Sequence, residues 1–165
     1  MATRIGSATT GKVIQRITSP TGVNAGLAAL AAGEGLPAAL DAAQVYSQNV
    51  APDVAERSGM AQYPVANVYC EKIVNNHTEK FRTFSGSVQM AIELRHSQDR
   101  LEGLQESLEL YVDSVMQVLN AGRGDWGDGM FYTGEYQASF GAVKHGGKNF
   151  IQAAKITFEI GVSKS

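Results

Sequence analysis

The sequence predicts an α+β protein: a mostly antiparallel sheet, a long amphipathic helix packed on it, an N-terminal helical region and a long C-terminal β-hairpin. Three observations carry the prediction. In SVQMAIELRH, Val88, Met90, Ile92 and Leu94 alternate with Gln89, Ala91, Glu93 and Arg95, the period of a strand with one face on a core and one on solvent or a neighbour. Leu101, Leu104, Leu108, Tyr111, Val112, Val115, Val118 and Leu119 recur at helical spacing opposite Glu102, Glu106, Glu109, Asp113 and Gln117, which defines an amphipathic helix. Two more alternating runs, from Met130 to Phe140 and from Phe150 to Val162, flank the turn sequence KHGGK and predict a hairpin.

In chain order, Val13, Ile14 and Ile17 behind Thr9 and Thr10 suggest a short helix that stops at Ser19-Pro20, with the threonines as caps. From Gly22 to Leu40 the chain is rich in alanine and leucine. One or two modest helices are expected there, broken at Gly33-Glu34-Gly35, with Pro37 in the first turn of the second. Gln44 to Ala51 reads as a short strand and Pro52 to Gln62 as polar loop. After Tyr63-Pro64, VANVYCEKIV is dense in β-formers and predicts a strand, and NNHTEK a turn or loop. Asp99 with Glu102 three residues on has the form of a capping box, so the long helix is expected from Asp99 to Asn120. Gly-rich GRGDWGDG then reads as a plain connection.

With 165 residues, 44% of them hydrophobic, and one cysteine, Cys70, a single domain spanning residues 1–165 is expected, built without disulfides. Its core sheet and helix fall in 63–162, and residues 1–20 are expected to hold a flexible tail. The formal net charge of −2 argues against a surface built throughout for nucleic acid. The opening MATRIGSATTGK has no signal-like apolar run, and no apolar stretch reaches membrane-spanning length, so a soluble protein made in a cytosol is expected, with no membrane partner.

The motifs that invite chemistry fail on context. Gly6 to Lys12 has the spacing of a phosphate-binding loop, but Val13 stands where a magnesium-holding Ser or Thr belongs. Asp125 and Asp128 lack the alternating acids and closing glutamate of a calcium loop. Arg123-Gly124-Asp125 and Asn76-His77-Thr78 are short enough to arise by chance. His77, His96 and His145 lack metal-ligand spacing. No catalytic constellation, cofactor site or metal site is predicted, and the chain is expected not to be an enzyme. The acidic helix stripe (Glu102, Glu106, Glu109, Asp113) and the polar hairpin positions Glu135, Gln137, Lys155 and Glu159 are candidate subunit or partner contacts. Lys144, His145 and Lys148 form a compact basic cluster at the hairpin tip and are the candidate partner-facing loop.

The order of these elements is similar to that of the tail terminator, or tail completion, proteins of long-tailed bacteriophages. The likeness covers Tyr63 to Val162: the Tyr63-Pro64-Val65 entry, the charged loop, VQMAIELRH, the acidic helix and a long hairpin closing on ITFEIGV. It implies a structural virion protein of the head-tail junction, made in the host cytoplasm. Such a protein forms a ring, commonly a hexamer, that caps the tail tube, stops its polymerisation and offers a surface for joining the head. Its implied partners are copies of itself, the tail tube protein and head-tail connector proteins, with the KHGGK tip facing a channel that DNA passes through. Another neck or head-completion adaptor is the alternative within that class. A small ligand-binding domain or enzyme using the surroundings of Trp126 is the alternative outside it.

Overall fold

The computed structural model describes residues 4–31, 38–51, 62–146 and 148–165. Helix α1 spans Ile5–Thr18 and α2 Val23–Leu30; a 3-10 turn at Ala42–Gln44 leads into β1, Val45–Tyr46. Then come β2 (Val65–Asn75), β3 (Phe84–Gln98), α3 (Leu104–Ala121), β4 (Gly124–Gly127), β5 (Met130–Phe140), β6 (Lys144–Gly146) and β7 (Asn149–Lys164). The sheet order is β1-β2-β3-β7-β5-β4, with β6 also paired to β7. Every pairing is antiparallel except the parallel β1·β2. The expected α+β class and C-terminal hairpin are therefore present.

The period-two signal of β3 becomes its register. Val88, Met90, Ile92 and Leu94 face Ile160, Phe158, Ile156 and Ala154 of β7, and all eight are buried. Over this face lie the α3 residues Leu108, Tyr111, Val112, Val115 and Leu119, joined in one cluster by Val13 and Ile17 of α1 and Val23 and Leu27 of α2. At about 1.5–3 kcal/mol for each large side chain removed from water, this cluster supplies the gross drive for folding. Gly26 brings α2 close to α3: a Cβ there would lie 3.2 Å from the Cβ of Ser114.

Five expectations change. Residues 5–18 are a packed helix, not part of a flexible tail. Thr9 and Thr10 are no caps, since their buried hydroxyls donate to the carbonyls of Ile5 and Gly6, each at 2.8 Å. Asp99 does not cap α3. The Gln98 side chain donates to the carbonyls of Arg100 and Glu102, at 2.8 and 2.6 Å, and Gly103 occupies the cap position at φ +80°, where glycine carries no Cβ penalty. The helix therefore starts five residues later than expected, and Leu101 drops out of the stripe with 57% exposure. GDWG is a strand, paired to β5, and not a plain connection. The strand expected over Gln44–Ala51 shrinks to two residues. The proposed second helix around Pro37 and most of the Pro52–Gln62 loop lie outside the described residues.

Candidate interaction surfaces

The helices take one face of the sheet. On the other face, where Val65, Asn67, Tyr69, Ala91 and Arg95 are buried, a charged ladder crosses three strands. Glu93 on β3 accepts the Tyr69 hydroxyl at 2.6 Å and Arg95 Nη2 at 2.7 Å. Lys155, directly opposite Glu93 on β7, forms an ion pair with Glu71 of β2 and lies 6.0 Å from the Tyr69 ring centre. Burial and the Glu93 carboxylate push the Tyr69 hydroxyl well above its ordinary pKa. Arg95 is 1% exposed, and its Nε and Nη1 have no hydrogen-bond partner among the described residues. A period-two reading places Arg95 with solvent or a neighbour; the fold buries it.

Beside this ladder, towards β5, the face stays open. Gly134 interrupts the alternation of β5, and the register with β7 slips between Tyr132 and Tyr136: a bulge in which Thr133, Gly134 and Glu135 stand opposite Glu159 alone. Around it lies an open groove of about 650 Å³ whose lining includes Gln89, Asn120, Glu135, Gln137, Thr157 and Glu159. Past the bulge, Gln137, Ala138, Ser139 and Phe140 are all exposed, so neither face of this part of β5 is covered.

The residues singled out from the sequence do not form one surface. Glu135, Gln137 and Glu159 line the groove, while Lys155 is half-buried in its ion pair with Glu71. Glu106 and Glu109 are exposed on α3, which covers the opposite face of the sheet, and Glu102 is exposed in the turn just before its Gly103 cap. Asp113 is half-buried, and burial together with the Glu109 charge one turn away raises its pKa. Lys144 and His145 lie on β6 at the hairpin tip with Lys148, all exposed, and the His145 ring lies 4.8 Å from that of Phe150.

The Gly6–Lys12 motif lies inside α1, so its amides belong to a helix and not to a phosphate-cradling loop; Lys12 pairs with Asp128 at 3.2 Å. Among the described residues no three His, Cys, Asp or Glu side chains are placed to hold a metal. His96 lies under α3, its ring 5.3 Å from that of Tyr111, and burial lowers its pKa. Cys70 is half-buried against Gly6 of α1, and burial raises its thiol pKa. Near Trp126 there is a cavity of about 450 Å³ between α1 and the end of α3, bordered by Lys12, Gln15, Arg16, Thr21 and Val118. The Arg16 guanidinium stacks 4.4 Å from the Trp126 ring centre, and the indole N–H donates to the Gly122 carbonyl at 2.6 Å.

The sequence reading missed the strand edges. The short β1 pairs only with Ala66 and Asn67, and β4 only with Met130 to Tyr132, so most of β2 and β5 has no described strand on its outer side. Gly134 was the one local signal, because a glycine within a strand marks a bulge or bend.

No protein-family model matches the chain, and no curated protein does.

Proposed function

We propose that the protein is a structural component of a phage head-tail junction: a tail terminator that assembles head to tail into a ring, caps the tail tube and presents the head-joining surface. The observation that supports this reading is the long β5–β7 hairpin, whose β5 arm is exposed on both faces beyond the bulge at Gly134. A strand left open in this way suits a subunit boundary. A heterologous contact that closes gives a ring. Adding the purified chain to growing tail tubes is expected to arrest their elongation, and a phage lacking the gene is expected to make overlong tails free of heads. Tailless heads with no long tails would instead favour another neck adaptor, and normal tails would sink both readings.

The cavity beside Trp126 supports a second reading, a small ligand-binding module. Thermal-shift screening with nucleotides, metals and metabolites tests it, since a ligand at a hundredfold excess over its Kd stabilises by about 2.7 kcal/mol. No shift with any of them removes the support.

A further inference from the structure

We infer that copies of this chain join by antiparallel pairing of the outer part of β5, Tyr136–Phe140, with the outer part of β2, Lys72–Asn75, of the next copy. The inference deepens the ring reading above and rests on it for closure.

Four observations lead here. The first is direction. β2 is antiparallel to β3, β3 to β7 and β7 to β5, so β2 runs opposite to β5, and the sheet of one copy continues into the next as an antiparallel ladder.

The second is position. Among the described residues β4 pairs with only the start of β5 and β1 with only the start of β2, so the ends of both strands have no strand on that side. Because the strands run oppositely, the two open halves lie at opposite ends of the sheet. Joining them offsets each copy along the strand direction, and a stagger of this kind is what a sheet needs to close on itself.

The third is facing. Ala138 and Phe140 point to the helix side, as their partners Ile156 and Ala154 do, and Ile73 points there opposite Val88. Phe140 is 41% and Ile73 49% exposed. A register in phase brings these two apolar side chains onto one face across the joint.

The fourth is charge. On the face away from the helices the β5 side carries exposed Glu135 and Glu159; the β2 side carries exposed Lys72, while its exposed Glu71 is already paired with Lys155. Opposite signs favour β5 against β2, and like signs disfavour β5 against a second β5.

The test uses the full chain and two variants at exposed positions, Phe140→Lys and Ile73→Lys, with particle mass measured by analytical ultracentrifugation and folding by circular dichroism. The wild type is expected to form closed oligomers and each variant alone to remain monomeric. An equimolar mixture of the two variants is expected to form heterodimers and nothing larger, because one intact β5 edge and one intact β2 edge remain. If Ile73→Lys dimerises alone, the contact is β5 on β5 and the inference fails. A wild type that is monomeric with and without tail tubes overturns it. A wild-type ring that neither variant disturbs overturns the edge contact but leaves the ring reading standing. Edge-dependent rings that do not arrest tail tubes remove the tail terminator and leave the edge contact in place. If a lysine variant fails to fold, Ala138→Lys or Lys72→Glu takes its place in the same scheme.

Discussion

Replacing Glu93 by Gln isolates the cost of a buried guanidinium. Arg95 is 1% exposed; among the described residues its one ion-pair partner is Glu93, at 2.7 Å, and its Nε and Nη1 have no hydrogen-bond partner. Glu93→Gln keeps the shape and an oxygen for the Tyr69 hydroxyl but removes the compensating charge. Breaking a buried pair from one side costs about 3–5 kcal/mol, which for a chain of this size lowers Tm by roughly 6–20 °C. Arg95→Met removes the buried cation and leaves Glu93, whose side chain is 19% exposed, with the Tyr69 hydroxyl and some water, so a smaller loss is expected. The double variant is expected to recover most of the stability lost in Glu93→Gln, since an apolar replacement for a buried pair is often neutral or stabilising. Urea unfolding of the four proteins gives the coupling energy. A Glu93→Gln cost below about 1 kcal/mol, or a double variant as unstable as Glu93→Gln, refutes the view that Glu93 holds the cation in place.

Other perturbations have outcomes that follow as directly. Burial lowers the His96 pKa, so below its ordinary value of about 6.5 the unfolded chain binds the proton more readily, and stability falls as pH drops through that point; a His96→Gln variant is expected to flatten the Tm–pH curve between neutrality and mild acid. Asp113 has its pKa raised by burial and by Glu109, so its charged form opposes folding above its ordinary pKa and the opposition vanishes in acid; Asp113→Asn is expected to stabilise by about 0.2–0.5 kcal/mol at neutral pH and by nothing at low pH, read by thermal melts. Leu108, fully buried between α3 and the sheet, is expected to cost about 2–5 kcal/mol as Leu108→Ala in urea unfolding. Gly129 sits at φ +77° with the Ser163 carbonyl oxygen 2.0 Å from where a Cβ would lie; Gly129→Ala is expected to cost at least about 1–3 kcal/mol, and an unchanged midpoint would contradict the turn geometry.

The parts of the fold legible in the sequence were those where one physical signal dominated. In β3, Val88, Met90, Ile92 and Leu94 each have a buried partner on β7, so the period alone placed it. The start of α3 was misread because Asp99 and Glu102 satisfy a local pattern, while the Gln98 side chain and the left-handed Gly103 decide the geometry. α1 was underestimated since Gly6, Ser7, Thr9, Thr10 and Gly11 are weak helix formers. What holds them is packing of Val13 and Ile17 on the cluster under α3, which lies far along the chain. β4 hid in a glycine-rich run for the same reason: its Trp126 is anchored by Arg16 and Gly122. Among the candidate contacts, Glu135, Gln137 and Glu159 were readable as one polar face from alternation. The enclosure of Arg95 and the exposure of Phe140 were not, because each depends on which element lies over it.

β7 has partners on both sides, pairing with β3 along fifteen residues and with β5 and β6 on its other flank. All these partners precede it in the chain. On the ribosome, therefore, β2 and β3 can form a hairpin and α3 can coil, but the side of β3 away from β2 has no strand partner among the described residues until β7 emerges. The sheet closes in one late step that joins segments distant in sequence, the kind of contact that slows folding. Until then β3 is an unprotected apolar edge, and the nascent chain is most vulnerable to misassociation in the interval between making α3 and completing β7.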